Sequence, residues 1–294
     1  MKLSFLFFGN RPDEKWQLAR QMGITHAIAK LAPEITGALP PWDLDSLKNS
    51  KEIFERAGFK LYGLEGDQFD MNRIKFGLDG RDEDISRYQQ MLRNMGELGI
   101  PLLCYNFMAG IGWYRTSTDV EERGGALVSA FDAAYANKQS LTEFGEVSEE
   151  KIWENYQYFI KAIIPVAEKA GVKMALHPDD PPLSPLRGIG RIFTNADGIR
   201  KALSLSDSKA HGLTFCQGTY TTMGEDVQEL VKEFGDAHKI HFVHIRDVVG
   251  NAANFRETFH DNGPTDMVGM FKAYRDINFE GAIRSDHVPT MAGE

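Results

Sequence analysis

Apolar residues along this chain alternate between two patterns. Short β-type runs occur at 2–8 (KLSFLFF), 24–31 (ITHAIAKL), 60–66 (KLYGLEG), 101–107 (PLLCYNF), 173–177 (KMALH), 212–216 (GLTFC), 240–247 (IHFVHIRD) and 281–286 (GAIRSD). Between them lie longer, charged stretches whose apolar positions recur at helical spacing. These predict seven helices, at about 12–22, 43–57, 81–98, 148–169, 197–203, 225–234 and 266–274. Pro12 suits a first helical turn because its φ is already fixed, and Gly58 stands where a C-cap belongs. Ile152, Tyr156, Phe159, Ile160 and Ile163 share one helical face. The stretch 108–147 breaks the rhythm: it is Gly- and aromatic-rich and far longer than the usual α/β connection, so a functional inserted loop or helical region is expected there. Eight strands alternating with helices predict an α/β fold, a (β/α)8 barrel formed as a single domain over 1–294, since such barrels typically need about 250 residues. A doubly wound open sheet is the competing architecture. The chain stops at MAGE directly after the eighth run, so the eighth helix is expected to be missing from this chain.

Composition narrows the classes. An apolar fraction of 42% is that of a globular protein and excludes disorder, collagen and coiled coil. No run reaches the roughly 18 apolar residues of a membrane helix, and the N-terminal apolar stretch is too short for a signal peptide, so a cytoplasmic protein is expected. Lys and Arg number 33 against 42 Asp and Glu; this acidic balance argues against nucleic acid as a partner and leaves small-molecule chemistry. Cys104 and Cys216 are too few for a disulfide framework.

Barrel enzymes build their sites at the C-terminal ends of the strands, so polar residues ending apolar runs carry weight. Four consecutive runs end in metal-ligand types: His177, Cys216, His244 and Asp286. Taken singly, each has an ordinary structural explanation, but their shared register on neighbouring strands points to a centre for Mn, Fe or Zn. Cys104 sits among apolar neighbours and reads as core; His26, His211 and His238 read as structural or exposed. His241 lies three residues from His244, which in a regular strand turns it toward the helices. Arg115, Arg246 and Asn106 are candidates to bind a carboxylate or hydroxyls, and Trp113 with Tyr114 to form a lid wall.

The motifs ALHPDDPP, FCQG, VHIRD and RSDH, with GWYRT in the long insertion and the FRETFH and GPTDM segments, resemble mannonate dehydratase, a member of the xylose-isomerase-like barrels. The resemblance covers nearly the whole chain. It implies dehydration of D-mannonate to 2-keto-3-deoxy-D-gluconate in hexuronate catabolism, with Mn²⁺ or Fe²⁺ held by His177, Cys216, His244 and Asp286 and with His287 as an acid/base. The family's last motif carries Pro where Ser285 stands, and its members continue into a Tyr-containing segment and an eighth helix beyond this sequence. Removing a proton α to a carboxylate demands a base at C2 and an acid at C3; His287 is expected to do one job, with Asp247 or His260 as candidates for the other. A homo-oligomer, dimer or larger, is expected because a barrel lacking a helix exposes apolar surface. The alternatives are a metal-dependent sugar isomerase or epimerase on the same barrel, and a truncated chain that binds metal or sugar acid without turnover.

Overall fold

A computed structural model describes residues 1–291. Its strands, in chain order, are β1 (Lys2–Phe8), β2 (His26–Lys30), β3 (Lys60–Glu65), β4 (Leu102–Tyr105), β5 (Ser117–Glu121), β6 (Leu127–Asp132), β7 (Lys173–Leu176), β8 (His211–Cys216), β9 (Ile240–Ile245), β10 (Asp247–Asn251), β11 (Asn254–Thr258) and β12 (Ala282–Ser285). Eight of them close into a barrel of parallel strands in the order β1-β12-β9-β8-β7-β4-β3-β2. Each predicted run supplies one barrel strand, and the open-sheet alternative is excluded by closure of β1 on β12. The seven predicted helices form within a few residues of their expected ends. Asp13, Asp43, Ser148, Asn195, Asp226 and Asp266 start six of them, each side chain accepting an amide proton from the first turn.

Packing separates the two faces of the barrel wall. Leu103, Leu176, Phe215 and Val243 face outward against helices, joining the main core with Phe159, Ile163 and Val231. A smaller cluster of Ile28, Leu102, Cys104, Ala175, Phe242 and Ala282 fills the interior, where Thr214 Oγ1 donates to Cys104 Sγ at 3.1 Å. Cys104 is core, as expected. The filled interior leaves the barrel's ends as the places for ligands.

The stretch 108–147 differs from the loop or helical region expected of it. It contributes β5 and β6 to an antiparallel sheet of order β10-β11-β6-β5, and only Ala133–Ala136 forms an α-helix there. Its partners β10 and β11 follow β9 after a single residue, Arg246. Phe131 and Phe255 pack across this sheet, with ring centroids 5.7 Å apart. The sheet consists of two local antiparallel pairs, β5–β6 and β10–β11, joined by the β6–β11 pairing between segments more than 120 residues apart, and that long-range junction has no local signature.

His241 also departs from expectation. The β8–β9 register shifts between Leu213 and Thr214, so His241 is an extra residue on β9. Its ring lies against the inward face of Gly212, which pairs with the interior Ala175, rather than among the helices.

The helices Arg81–Glu97 and Glu149–Ala170 approach most closely at Gly96, where a Cβ would meet the Ala170 Cβ at 2.9 Å and crowd the Ala170 carbonyl. Gly96→Ala gains up to about 1 kcal/mol of helix propensity. Overpacking costs about 1–3 kcal/mol and outweighs that gain. A lower urea midpoint for Gly96→Ala checks this; an unchanged or raised midpoint contradicts the close packing.

Candidate active site

Strand register explains how the predicted ligands meet. Cys216 pairs with His244 across β8 and β9, which sets the two side chains next to each other on the inward face. His177 follows β7, its amide donating to the Tyr105 carbonyl at 2.7 Å, and Asp286 follows β12, its amide donating to the Ile245 carbonyl at 2.9 Å. The four residues thus stand at the C-terminal rim, with one ligand atom from each lying within 4.8 Å of every other.

Their chemistry suits a cation. Neither ring nitrogen of the buried His244 makes a well-formed hydrogen bond: Glu65 Oε2 lies 3.5 Å from Nε2 and Asp286 Oδ1 3.6 Å from Nδ1, which leaves the ring underbonded. His177 Nδ1 lies 2.7 Å from the Pro178 carbonyl, an acceptor, which places the proton on Nδ1 and leaves the Nε2 lone pair available. Thr219 Oγ1 donates to Cys216 Sγ at 3.1 Å. Burial pushes the Asp286 carboxyl up, but His287, His244, Arg284 and Arg246 together hold it well below the usual range, so it is ionised. Two imidazoles, a cysteine sulfur and a carboxylate form a donor set that suits a divalent transition metal. Glu65, Cys104 and His244 also cluster. Burial, then the charge of Glu65, pushes the Cys104 thiol well up, and Glu65 is paired with Arg284, so that trio is the poorer donor set.

Beside the centre lies a buried ionic network. Arg115 grips Asp180 with two parallel hydrogen bonds of 2.7 and 2.9 Å and reaches Glu257 at 2.7 Å. Arg246, fully buried, donates to Asp180 at 2.9 Å, to Glu257 at 3.0 Å and to Thr219 Oγ1 at 2.9 Å. Glu257 Oε1 is also 2.8 Å from His287 Nδ1. Both guanidiniums are therefore committed to carboxylates of the chain itself, which differs from the expectation that they wait for a substrate.

The remaining predicted residues divide. Trp113, half exposed, stands edge-on to His287 with centroids 5.0 Å apart, and the Arg115 guanidinium lies over its ring. Asn106 accepts from Lys75 Nζ at 2.9 Å and from the Met108 amide at 3.0 Å. Asp247 is fully buried, accepting from the amides of Val248 and Thr265 and from Thr265 Oγ1, so it braces a turn and has no free oxygen to act as an acid or base. His260 Nε2 lies 3.0 Å from the Ile245 carbonyl. Missed by the sequence reading are Asp180, Glu257, Thr219, Glu65 and Arg284. Of these Asp180, Glu257 and Arg284 lie in the motifs ALHPDDPP, FRETFH and RSDH, whereas Thr219 and Glu65 lie in none.

Acid stability follows from the network. Burial pushes the Glu257 carboxyl up, but His287, Arg246 and Arg115 outweigh it and lower it from 4.5 to about 2, and Asp180 is held well below its usual range by Arg115 and Arg246 against its own burial. Carboxyls depressed in the folded state contribute stability that is present above about pH 4.5 and is lost as the pH falls toward 2. Urea midpoints measured between pH 6 and 2.5 should fall most steeply below pH 4.5, and the slope should shrink in Glu257→Gln; a wild-type midpoint flat across this range contradicts the pairing.

The sequence matches the family model described as D-mannonate dehydratase (UxuA) over residues 1–144 and 133–294. Mannonate dehydratase 2 of Halalkalibacterium halodurans is 35% identical over 325 aligned residues, which cover 100% of this chain and 92% of that protein. The mannonate dehydratase of Thermotoga neapolitana is 32% identical over 331 residues, with 100% and 91% covered. The crystal structure of mannonate dehydratase from Streptococcus suis serotype 2 matches with a TM-score of 0.91 at 32% identity, covering 100% of this chain and 87% of that one. A 3-keto-D-glucoside 4-epimerase from E. coli, 14% identical with a TM-score of 0.65 and coverage of 99% and 94%, shares the fold alone. With the family model and the full-length relatives in agreement, the chain belongs to the D-mannonate dehydratase (UxuA) family, whose enzymes are hydro-lyases.

Proposed function

We propose that the chain converts D-mannonate to 2-keto-3-deoxy-D-gluconate, with His177, Cys216, His244 and Asp286 holding Mn²⁺ or Fe²⁺. The observation that carries this reading is the underbonded His244 imidazole inside a four-residue donor set, next to His287. The bound ion would supply Lewis-acid polarisation of the substrate's carboxylate and adjoining hydroxyl.

His287 is the acid/base of this proposal. Its Nδ1 faces Glu257 and its side chain is one-third exposed, so Nε2 is the nitrogen available to substrate. Nδ1 lies between the Glu257 carboxylate at 2.8 Å, which would accept its proton and orient the ring, and the Arg246 guanidinium at 3.0 Å. Proton removal at C2 leaves the electron pair to form the C2–C3 double bond as the C3 hydroxyl departs, protonated, as water. The resulting enol becomes the ketone by proton transfer to C3. Arg246, which touches His287 directly and bonds Glu257 and Thr219, and Arg115, which bonds Asp180 and Glu257, hold this geometry. Trp113 walls the site beside His287, and Asn106, fastened by Lys75, lies at the end of β4 for a hydroxyl contact. His260 is the remaining candidate for the second proton transfer.

Metal-stripped protein reloaded with Mn²⁺ should form 2-keto-3-deoxy-D-gluconate from D-mannonate. His287→Ala should retain the metal and lose roughly 10²–10⁴-fold in kcat. Product formation that is absent in metal-loaded wild type, or undiminished in His287→Ala, overturns the corresponding part of the proposal.

The same reading makes the protein a cytoplasmic homo-oligomer. No helix among the described residues is long and apolar enough to cross a membrane. Leu3 on β1, Leu18 on the helix Glu14–Gln21 and Val268 and Phe271 on the helix Met267–Asp276 are exposed apolar side chains near the β1–β12 seam. Sedimentation at micromolar concentration should give a dimer or larger; a monomer contradicts this.

A further inference from the structure

The strand order gathers β7, β8, β9 and β12, which bring His177, Cys216, His244 and Asp286, on one side of the barrel mouth. Over the ends of β2, β3 and β4, on the other side, lies a cavity of about 250 Å³ whose lining includes Lys30, Asp67, Asn72, Met108 and Gly112. Gly112 precedes Trp113, the residue against His287, so one loop walls both the cavity and the acid/base.

The polar groups on this side are aimed at the mouth and only partly used. Lys30 follows Ile28 by two residues and Asn106 follows Cys104 by two; Ile28 and Cys104 fill the barrel interior, so strand alternation turns Lys30 and Asn106 inward at the rim. Asp67 is tied to them through Lys75. The Lys75 ammonium, 1% exposed, donates to Asp67 Oδ2 at 2.7 Å and to Asn106 Oδ1 at 2.9 Å, fixing both side chains from behind. That bracing leaves one atom of each: among the described residues Asp67 Oδ1 accepts no hydrogen bond and Asn106 Nδ2 donates none, and Asp67 stays one-third exposed. Lys30 Nζ also has no partner among the described residues. It lies beside Gly66, where a Cβ would stand 3.5 Å from it, next in the chain to Asp67.

We propose, resting on the dehydratase reading, that this side of the mouth holds the far hydroxyl groups of the aldonate, those on C5 and C6, and sets a preference for six-carbon over five-carbon acids. Lys30 donates to a hydroxyl oxygen, Asp67 Oδ1 accepts a hydroxyl proton, and Lys75 is the positioning residue behind them. Charge fixes which end of the substrate comes here. Glu34, Asp67 and Asp70 line the cavity while Lys30 is its one lining cation, so a carboxylate is repelled toward the four-residue donor set. A hydroxyl both donates and accepts, which matches a free ammonium beside a free carboxylate oxygen. Binding sites built to hydrogen-bond a substrate hydroxyl discriminate strongly against analogues that lack it.

The test compares metal-loaded wild type and Lys30→Met on D-mannonate and on D-lyxonate, the five-carbon acid of the same configuration at C2, C3 and C4. Wild type should show kcat/KM at least tenfold higher for D-mannonate. Lys30→Met should lower that value at least tenfold, chiefly through KM, and change the D-lyxonate value less than twofold. Asp67→Asn keeps an oxygen for Lys75 and should also narrow the preference. Calorimetry in metal-loaded His287→Ala reads the same selectivity as affinity: D-mannonate should bind at least tenfold tighter than D-lyxonate, and adding Lys30→Met should shrink that ratio at least fivefold. Equal losses on the two acids, or a wild type without preference between them, overturn the subsite and leave the dehydration standing. Absence of D-mannonate turnover in metal-loaded wild type overturns the dehydratase reading, and the subsite with it.

Discussion

Asp180 and Glu257 bind Arg115 and Arg246 in one buried cluster, and parts of the chain far apart in sequence meet through it. Asp180 follows β7, Arg115 precedes β5, Arg246 joins β9 to β10, and Glu257 lies within β11. Removing one member of a buried ion pair costs about 3–5 kcal/mol, because the partner is left charged and unsolvated. The cluster therefore locks the second sheet to the barrel. It also reaches the proposed metal ligands: Arg246 donates to Thr219, which donates to Cys216, and Glu257 faces His287, the neighbour of Asp286. Two of the four ligands are thus braced by groups tied to the same guanidinium.

The barrel was legible because its causes are local. Each strand is a short apolar run, six of the helices open on a capping side chain, and strand-end positions converge whenever neighbouring strands are parallel and in register. That convergence brought His177, Cys216, His244 and Asp286 together from periodicity alone. Glu257 was invisible for the opposite reason. FRETFH contains no apolar alternation long enough to announce a strand, and the partners that define its role are Arg115, 142 residues away, and His287, 30 residues away. Arg115 and Arg246 were read as free forks because a sequence shows the donor and not the acid already facing it.

His241 shows how one inserted residue changes an argument from parity. Counting three positions from His244 turns the side chain outward in a regular strand, but the register shift opposite Leu213 and Thr214 cancels that turn. The bulge leaves no mark in composition. Only Gly212 hints at it, since a glycine within an otherwise bulky strand marks a close approach by another group.

The charges at the rim bear on the proposed metal site. Asp180, Glu257, Glu65 and Asp286 are buried carboxylates, each held below its ordinary pKa and hence negative. Arg115, Arg246 and Arg284 oppose them with three positive charges. These carboxylates outnumber the guanidiniums that face them by one, so the rim favours a cation. In the proposed reaction a proton taken up by His287 would create an imidazolium whose nearest carboxylate, Glu257, is already in contact at 2.8 Å. The guanidiniums that were expected to clamp substrate instead keep Glu257 ionised for that purpose, since loss of either would let burial raise its pKa and weaken its hold on the ring.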